Sequence, residues 1–117
     1  MRKPPLHKSF WNAFLGIFKM MMTERNFQIE LLALILNLFL MVFLELNSTD
    51  SALILVVCFA VLTAEIFNTA IEKICDFIHP DFDAKIGFIK DISAGAVTLM
   101  AFAAVLVGML VYPKYVF

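Results

Sequence analysis

Apolar residues fill three stretches of the chain, and polar residues collect between them. The first stretch covers residues 27–46, with LLALILNLFLMVFL at its centre. The second covers residues 51–76, and the third residues 90–112, apolar from about Ile92 onward. Each is near the ~20 residues that a helix needs to cross a ~30 Å hydrocarbon core. No alternating barrel pattern is present, and three spans cannot close a barrel. The pattern therefore predicts an all-α membrane protein with three transmembrane helices.

The connections fit three helices. ELNSTDS (Glu45 to Ser51) is short and polar, and HPDFDAKIG (His79 to Gly87) carries Pro80 and Gly87. Both of those residues are poor in helix interiors. Ahead of the first span, Phe10, Phe14, Ile17, Phe18 and Met21 recur at helical spacing, with Lys8, Asn12, Lys19 and Thr23 between them. That is the pattern of an amphipathic helix within residues 1–25, lying on the membrane surface, where Trp11 and its neighbours either anchor the chain or take part in a site. Residues 1–117 are expected to form one domain, with no internal repeat. The run Phe10 to Met22 is interrupted by Lys and Asn and lacks a small-residue cleavage site, so it does not read as a cleavable signal.

Composition and charge extend the picture. The 117 residues are 62% hydrophobic and 16% charged, with mean hydropathy +0.92. A chain this short has too much surface to hide that apolar content in its own core. Net charge is −1, so no basic field points to nucleic acid. Arg2, Lys3, Lys8, Lys19 and Arg25 precede the first span; Lys73, Lys85 and Lys90 surround the second connection; only Lys114 follows the third. The positive-inside bias places the N-terminus and the second connection in the cytoplasm and the C-terminus outside. Tyr112 and Tyr115 suit an interfacial belt at that outer end. Cys58 and Cys75 form no CxxC and read as small buried hydrophobes.

Against this background, AEIFNTAIEKICD (Ala64 to Asp76) stands out. At about 100° per residue, Glu65, Asn68, Glu72 and Asp76 fall within an arc of about 60–80°. They form a polar stripe that begins inside the apolar span and ends at its cytoplasmic side. Charged groups at membrane depth cost several kcal/mol and usually face a partner or a cavity. Glu24 and Glu30 reach the same layer from the first span, and Lys90 and Asp91 from the third. Clustered carboxylates suit a hard divalent cation such as Mg²⁺. Mg²⁺ with a lysine is equipment for phosphate charge. Glu65, the deepest acid, is the candidate base for a lipid hydroxyl.

Ion conduction would also use acids, so a small oligomeric channel or transporter subunit is the alternative of a different class. A pathway should continue polar residues to the outer side, whereas ALILVVCFAVL, the outer half of the second span, is apolar. There is no GxxxxGK[ST] and no GxGxxG, which excludes a P-loop and a protein-kinase nucleotide site. His7 and His79 lack ligand spacing with either cysteine. Ser93 to Ala96 form a small-residue patch suited to close helix packing or to a substrate.

These blocks resemble the small bacterial integral-membrane lipid kinases of the diacylglycerol kinase and undecaprenol kinase family. KSF (Lys8 to Phe10), TERNFQIE (Thr23 to Glu30), EIFNTAIEKICD (Glu65 to Asp76) and KDISAGAV (Lys90 to Val97) occur in order, nearly spanning the chain. The resemblance implies transfer of the γ-phosphoryl group of ATP to a lipid hydroxyl, with Mg²⁺ as cofactor. It also implies a homotrimer in the bacterial cytoplasmic membrane, with its active site on the cytoplasmic side. By motif, Glu65 resembles the catalytic base, and Glu24 and Glu72 the metal-binding pair. Asn68, Glu72, Lys90, Asp91 and the loop residues Asp81, Phe82 and Asp83 match positions around ATP. Asn26, Phe27, Glu30 and Ala94, with Glu65, match positions near the lipid. Where relatives often carry Arg three residues before the KSF lysine, this chain has Pro5. TERNFQI and the AGAV ending resemble the undecaprenol kinase branch, so undecaprenol is the expected acceptor and diacylglycerol the alternative.

Overall fold

A computed structural model describes residues 2–117. Among them every regular element is helical: α1 (Leu6–Thr23), α2 (Arg25–Phe43), α3 (Ser48–Ile78), α4 (Ala84–Val111) and a short α5 (Pro113–Val116). The three long apolar helices α2, α3 and α4 are each long enough to cross a membrane.

Local chemistry sets the ends of these helices. Glu24 is extended (φ −106°, ψ 113°) and separates α1 from α2. At the far end of α2, Glu45 adopts a left-handed φ of 56°. Leu46 N–H then bonds Met41 O at 3.0 Å and Glu45 N–H bonds Val42 O at 3.3 Å. That is a Schellman cap, closed by packing of Leu46 onto the cluster that holds Met41. Asn47 caps α3 by accepting from Asp50 N–H at 2.8 Å. Asp83 caps α4 by accepting from Lys85 N–H at 2.8 Å and Ile86 N–H at 3.3 Å. These caps start α3 at Ser48 and α4 at Ala84, ahead of the expected 51 and 90. Hydropathy marks where the apolar run begins, whereas capping marks where the backbone bonds begin. The helix α3 ends at Ile78, before His79 and Pro80, as a residue preceding proline disfavours helix.

The central helix is α3, packed extensively against α4 and less so against α2, while α2 and α4 barely touch. Two apolar clusters hold the bundle. Met20, Phe27, Leu34 and Leu62 join α1, α2 and α3 at one end. Met41, Ile54 and Val111 join α2, α3 and α4 at the other. Most apolar side chains stay outside these clusters: Phe39 is 62% exposed, Leu99 73% and Leu110 75%. Within a single chain these residues are mostly uncovered, which fits helices surrounded by lipid or by further copies.

With 31 residues, α3 is about 46 Å long at 1.5 Å per residue, longer than a ~30 Å hydrocarbon core. Its charged end at Glu72 and Asp76 can therefore reach beyond the core while Glu65 stays within it.

Candidate active site

The polar stripe of α3 changes character along its length. Glu65 and Asn68 are buried, 4% and 6% exposed, whereas Glu72 and Asp76 are exposed. One turn apart, Asn68 Nδ2 donates to Glu72 Oε1 at 2.8 Å. The carbonyl oxygen Oδ1 of Asn68 is buried without a partner. Glu65 lies beside Asn68 on its own helix and Asn26 at the start of α2, with the charges of Glu72 and Glu24 close by. From one turn further along α2, the Glu30 carboxyl meets Glu65 as well, and Glu30 Oε2 is buried without a partner.

Three further carboxyl groups, those of Glu24, Glu30 and Glu72, thus lie near Glu65, which makes four acids from three segments. Among the described residues none of the four has an ion-pair partner; the ion pairs present are Lys90–Asp76 and Lys114–Asp50. Of the four only Glu65 is buried; burying an acid without a counter-charge is expensive, and such a group belongs to a functional site more often than to structural glue. The unsatisfied oxygens of Asn68 and Glu30 point the same way, because native folds leave few buried polar atoms unpaired.

The structure distributes the other sequence-predicted residues less uniformly. Lys90 reaches across to α3 and pairs with Asp76 at 2.5 Å, one turn past Glu72. Asp91 and Ala94 are exposed on α4, while Ser93 between them is buried. Phe27, expected near the lipid, is only 2% exposed and packs in the core with Met20, Leu34 and Leu62. In the α3–α4 connection, the Asp83 carboxylate serves as the cap of α4, the His79 ring donates through Nδ1 to Asp81 O, and Phe82 is 91% exposed. The small-residue patch does not serve helix packing within the chain at Gly95, where an added Cβ would meet nothing within 4 Å.

Sequence reasoning missed a polar network at the opposite end of the bundle. The Tyr112 hydroxyl donates to Asn37 Oδ1. The Tyr115 hydroxyl donates to Asp50 Oδ2 at 2.6 Å, and Lys114 Nζ reaches the same carboxylate at 3.0 and 3.2 Å. Asp50 is 4% exposed. The two tyrosines read from sequence as a generic belt therefore have specific partners. The only signal was Asn37 as a lone amide within an apolar span.

Among the described residues no three His, Cys, Asp or Glu side chains converge on a common metal position. Mg²⁺ is commonly held by one or two carboxylates plus substrate phosphates and water, not by an all-protein cage. Glu24 and Glu72, two acids near Glu65 without ion-pair partners among the described residues, fit that pattern.

An all-helical scaffold with three spanning helices, carrying uncompensated acids in one layer, defines a membrane protein with a charge-handling site. The chain belongs to the prokaryotic diacylglycerol kinase family, whose profile matches residues 11–112. It is 33% identical over 108 residues to the undecaprenol kinase of Bacillus subtilis, covering 92% of this chain and 88% of that protein. It is 32% identical over 106 residues to a diacylglycerol kinase of Synechocystis, covering 90% of this chain and 61% of that protein. The protein is accordingly a multi-pass membrane lipid kinase.

Proposed function

We propose that the chain transfers the γ-phosphoryl group of ATP to the hydroxyl of undecaprenol, using Mg²⁺, on the cytoplasmic side of a bacterial cytoplasmic membrane. The observation that carries the proposal is Glu65: a buried carboxyl group among other acids, with no ion-pair partner among the described residues. A general base needs a position within reach of the acceptor hydroxyl and outside bulk water. Glu65 is out of bulk water, and its place where the acid layer meets the apolar part of α3 supports that role. Asn26 and Asn68 lie beside it. Glu30 shares the acceptor side of the site, and Ala94 offers an open surface on α4.

Glu24 and Glu72 would hold Mg²⁺, which when bound neutralises phosphate charge. Asn68 holds Glu72 in place through its amide, and its free Oδ1 is available to a bound group. Lys90 supplies positive charge near the nucleotide once it leaves Asp76. Asp91, Asp81, Phe82 and Asp83 complete the nucleotide side, Asp83 through the loop conformation that its capping bond sets. The basic residues of the N-terminus and of the α3–α4 connection support the cytoplasmic placement of this layer and an external C-terminus. The exposed apolar face of α1, including Phe10 (59%) and Trp11 (64%), supports its lying on the membrane surface. The open apolar surface of the spanning helices supports assembly into a homotrimer.

Diacylglycerol is the second acceptor to consider, since one relative carries that activity in its name. Purified protein given ³²P-labelled ATP and a mixture of undecaprenol and diacylglycerol should label undecaprenol. Label in phosphatidic acid alone would reassign the acceptor, and label in no lipid would overturn the proposal.

A further inference from the structure

The helix α1 packs on α2 more than on α3, and a groove of about 320 Å³ runs between α1 and α3. Gly16 helps to keep it open, since an added Cβ there would meet nothing within 4 Å. Two exposed lysines line it, Lys19 from α1 and Lys73 from α3. Among the described residues neither has an ion-pair partner. Along α3 the groove is graded. Lys73 lies toward the charged end of the helix, the buried Thr69 one turn deeper, and Ile66 about 10 Å from Lys73. At 100° per residue this face of α3 lies roughly 100° round the helix from the stripe of Glu65, Asn68 and Glu72, so the groove is separate from the acid layer.

We propose that this groove binds an anionic phospholipid of the surrounding leaflet, with its phosphate between Lys19 and Lys73 and an acyl chain along Gly16 and Ile66. The lipid is not the acceptor, since it lies on a different face of α3 from Glu65. The proposal uses the surface placement of α1 given above and is independent of phosphoryl transfer. Charge and shape select the occupant. Two unpaired cations on one groove repel, and an anion between them turns repulsion into attraction. Cations at the membrane boundary with an apolar wall beneath them match the polarity of a phospholipid read from head to tail. Free phosphate would meet the lysines and leave the apolar wall bare. An apolar helix of a second copy would cover the wall and bury two cations without counter-charge. A phospholipid satisfies both parts. It also fills the gap between α1 and α3, which the chain itself bridges through Met20.

Retained lipid tests the site. Protein purified in neutral detergent with equal phosphatidylglycerol and phosphatidylcholine is weighed by native mass spectrometry. The wild type should keep phosphatidylglycerol in preference to phosphatidylcholine. A lysine beside an anionic head group is worth roughly fivefold in affinity, so replacing both Lys19→Gln and Lys73→Gln should weaken retention about twenty-five-fold. Both side chains are exposed, so the variant should fold, and Lys19→Arg with Lys73→Arg should keep the lipid. Gly16→Leu, which leaves both cations and favours the helix, should fill the apolar part and lower retention as well. Lys85→Gln, at the start of α4, should change nothing; a loss equal to that of the double glutamine variant means diffuse surface charge and overturns the site. Unchanged retention in the double glutamine variant or in Gly16→Leu also overturns it. Release of the lipid by excess inorganic phosphate marks a free-anion site, and release by ATP a part of the nucleotide site; either result overturns the proposal. So does a wild type that retains no phosphatidylglycerol, as when a second copy fills the groove. None of these readings involves turnover, so their failure leaves the kinase proposal standing.

Discussion

Replacing Glu65 with Gln removes a proton acceptor while preserving the shape of a side chain that is only 4% exposed. The amide keeps its neighbours Asn26 and Asn68, so the site should stay assembled. A positioned general base contributes about 10²–10⁴ in rate. That corresponds to roughly 3–5 kcal/mol of barrier. The same change deletes one of four clustered acids that have no counter-cation among the described residues. The variant should therefore unfold at the same temperature as the wild type or higher, while turnover collapses. Three measurements separate these effects: initial rates of ³²P transfer at saturating lipid, binding of a fluorescent ATP analogue, and the thermal midpoint. A rate within tenfold of the wild type would refute the role of Glu65 as base. Loss of nucleotide binding with turnover retained would show that it holds ATP instead.

Glu72→Ala should weaken ATP affinity and Mg²⁺ dependence together, since it removes the carboxylate that Asn68 Nδ2 holds; an unchanged Mg²⁺ titration counts against metal binding there. Lys90→Ala should raise the KM for ATP about tenfold, the loss of one charge-assisted contact. Asp76→Asn, which only frees Lys90 from its ion pair, should leave that KM unchanged or lower it; equal increases in both variants would mean that the pair is purely structural. Glu45→Gly should raise stability by about 0.5–1 kcal/mol, because glycine adopts the left-handed cap position without strain at some cost in unfolded-chain entropy. A lowered thermal midpoint in that variant would show that the Glu45 side chain matters more than its backbone.

The three spans and the acidic stripe on the second were legible in the sequence because both follow from local periodicity. Hydropathy over about twenty residues defines a spanning helix, and the 100° step alone puts Glu65, Asn68, Glu72 and Asp76 on one face. The helix starts at Ser48 and Ala84 were less legible, since Asn47 and Asp83 lie in polar connections and their capping bonds depend on backbone geometry.

Only the tertiary structure decided which distant groups meet. Asn37 and Tyr112 are 75 residues apart, and Lys90 and Asp76 are 14 apart on antiparallel helices. Tertiary packing also put Phe27 into the core and brought Glu30 to Glu65. Helical periodicity describes a single helix and says nothing of how that helix is rotated against its neighbours. That rotation comes from side-chain packing, here from the two apolar clusters that seat α2 and α4 on α3.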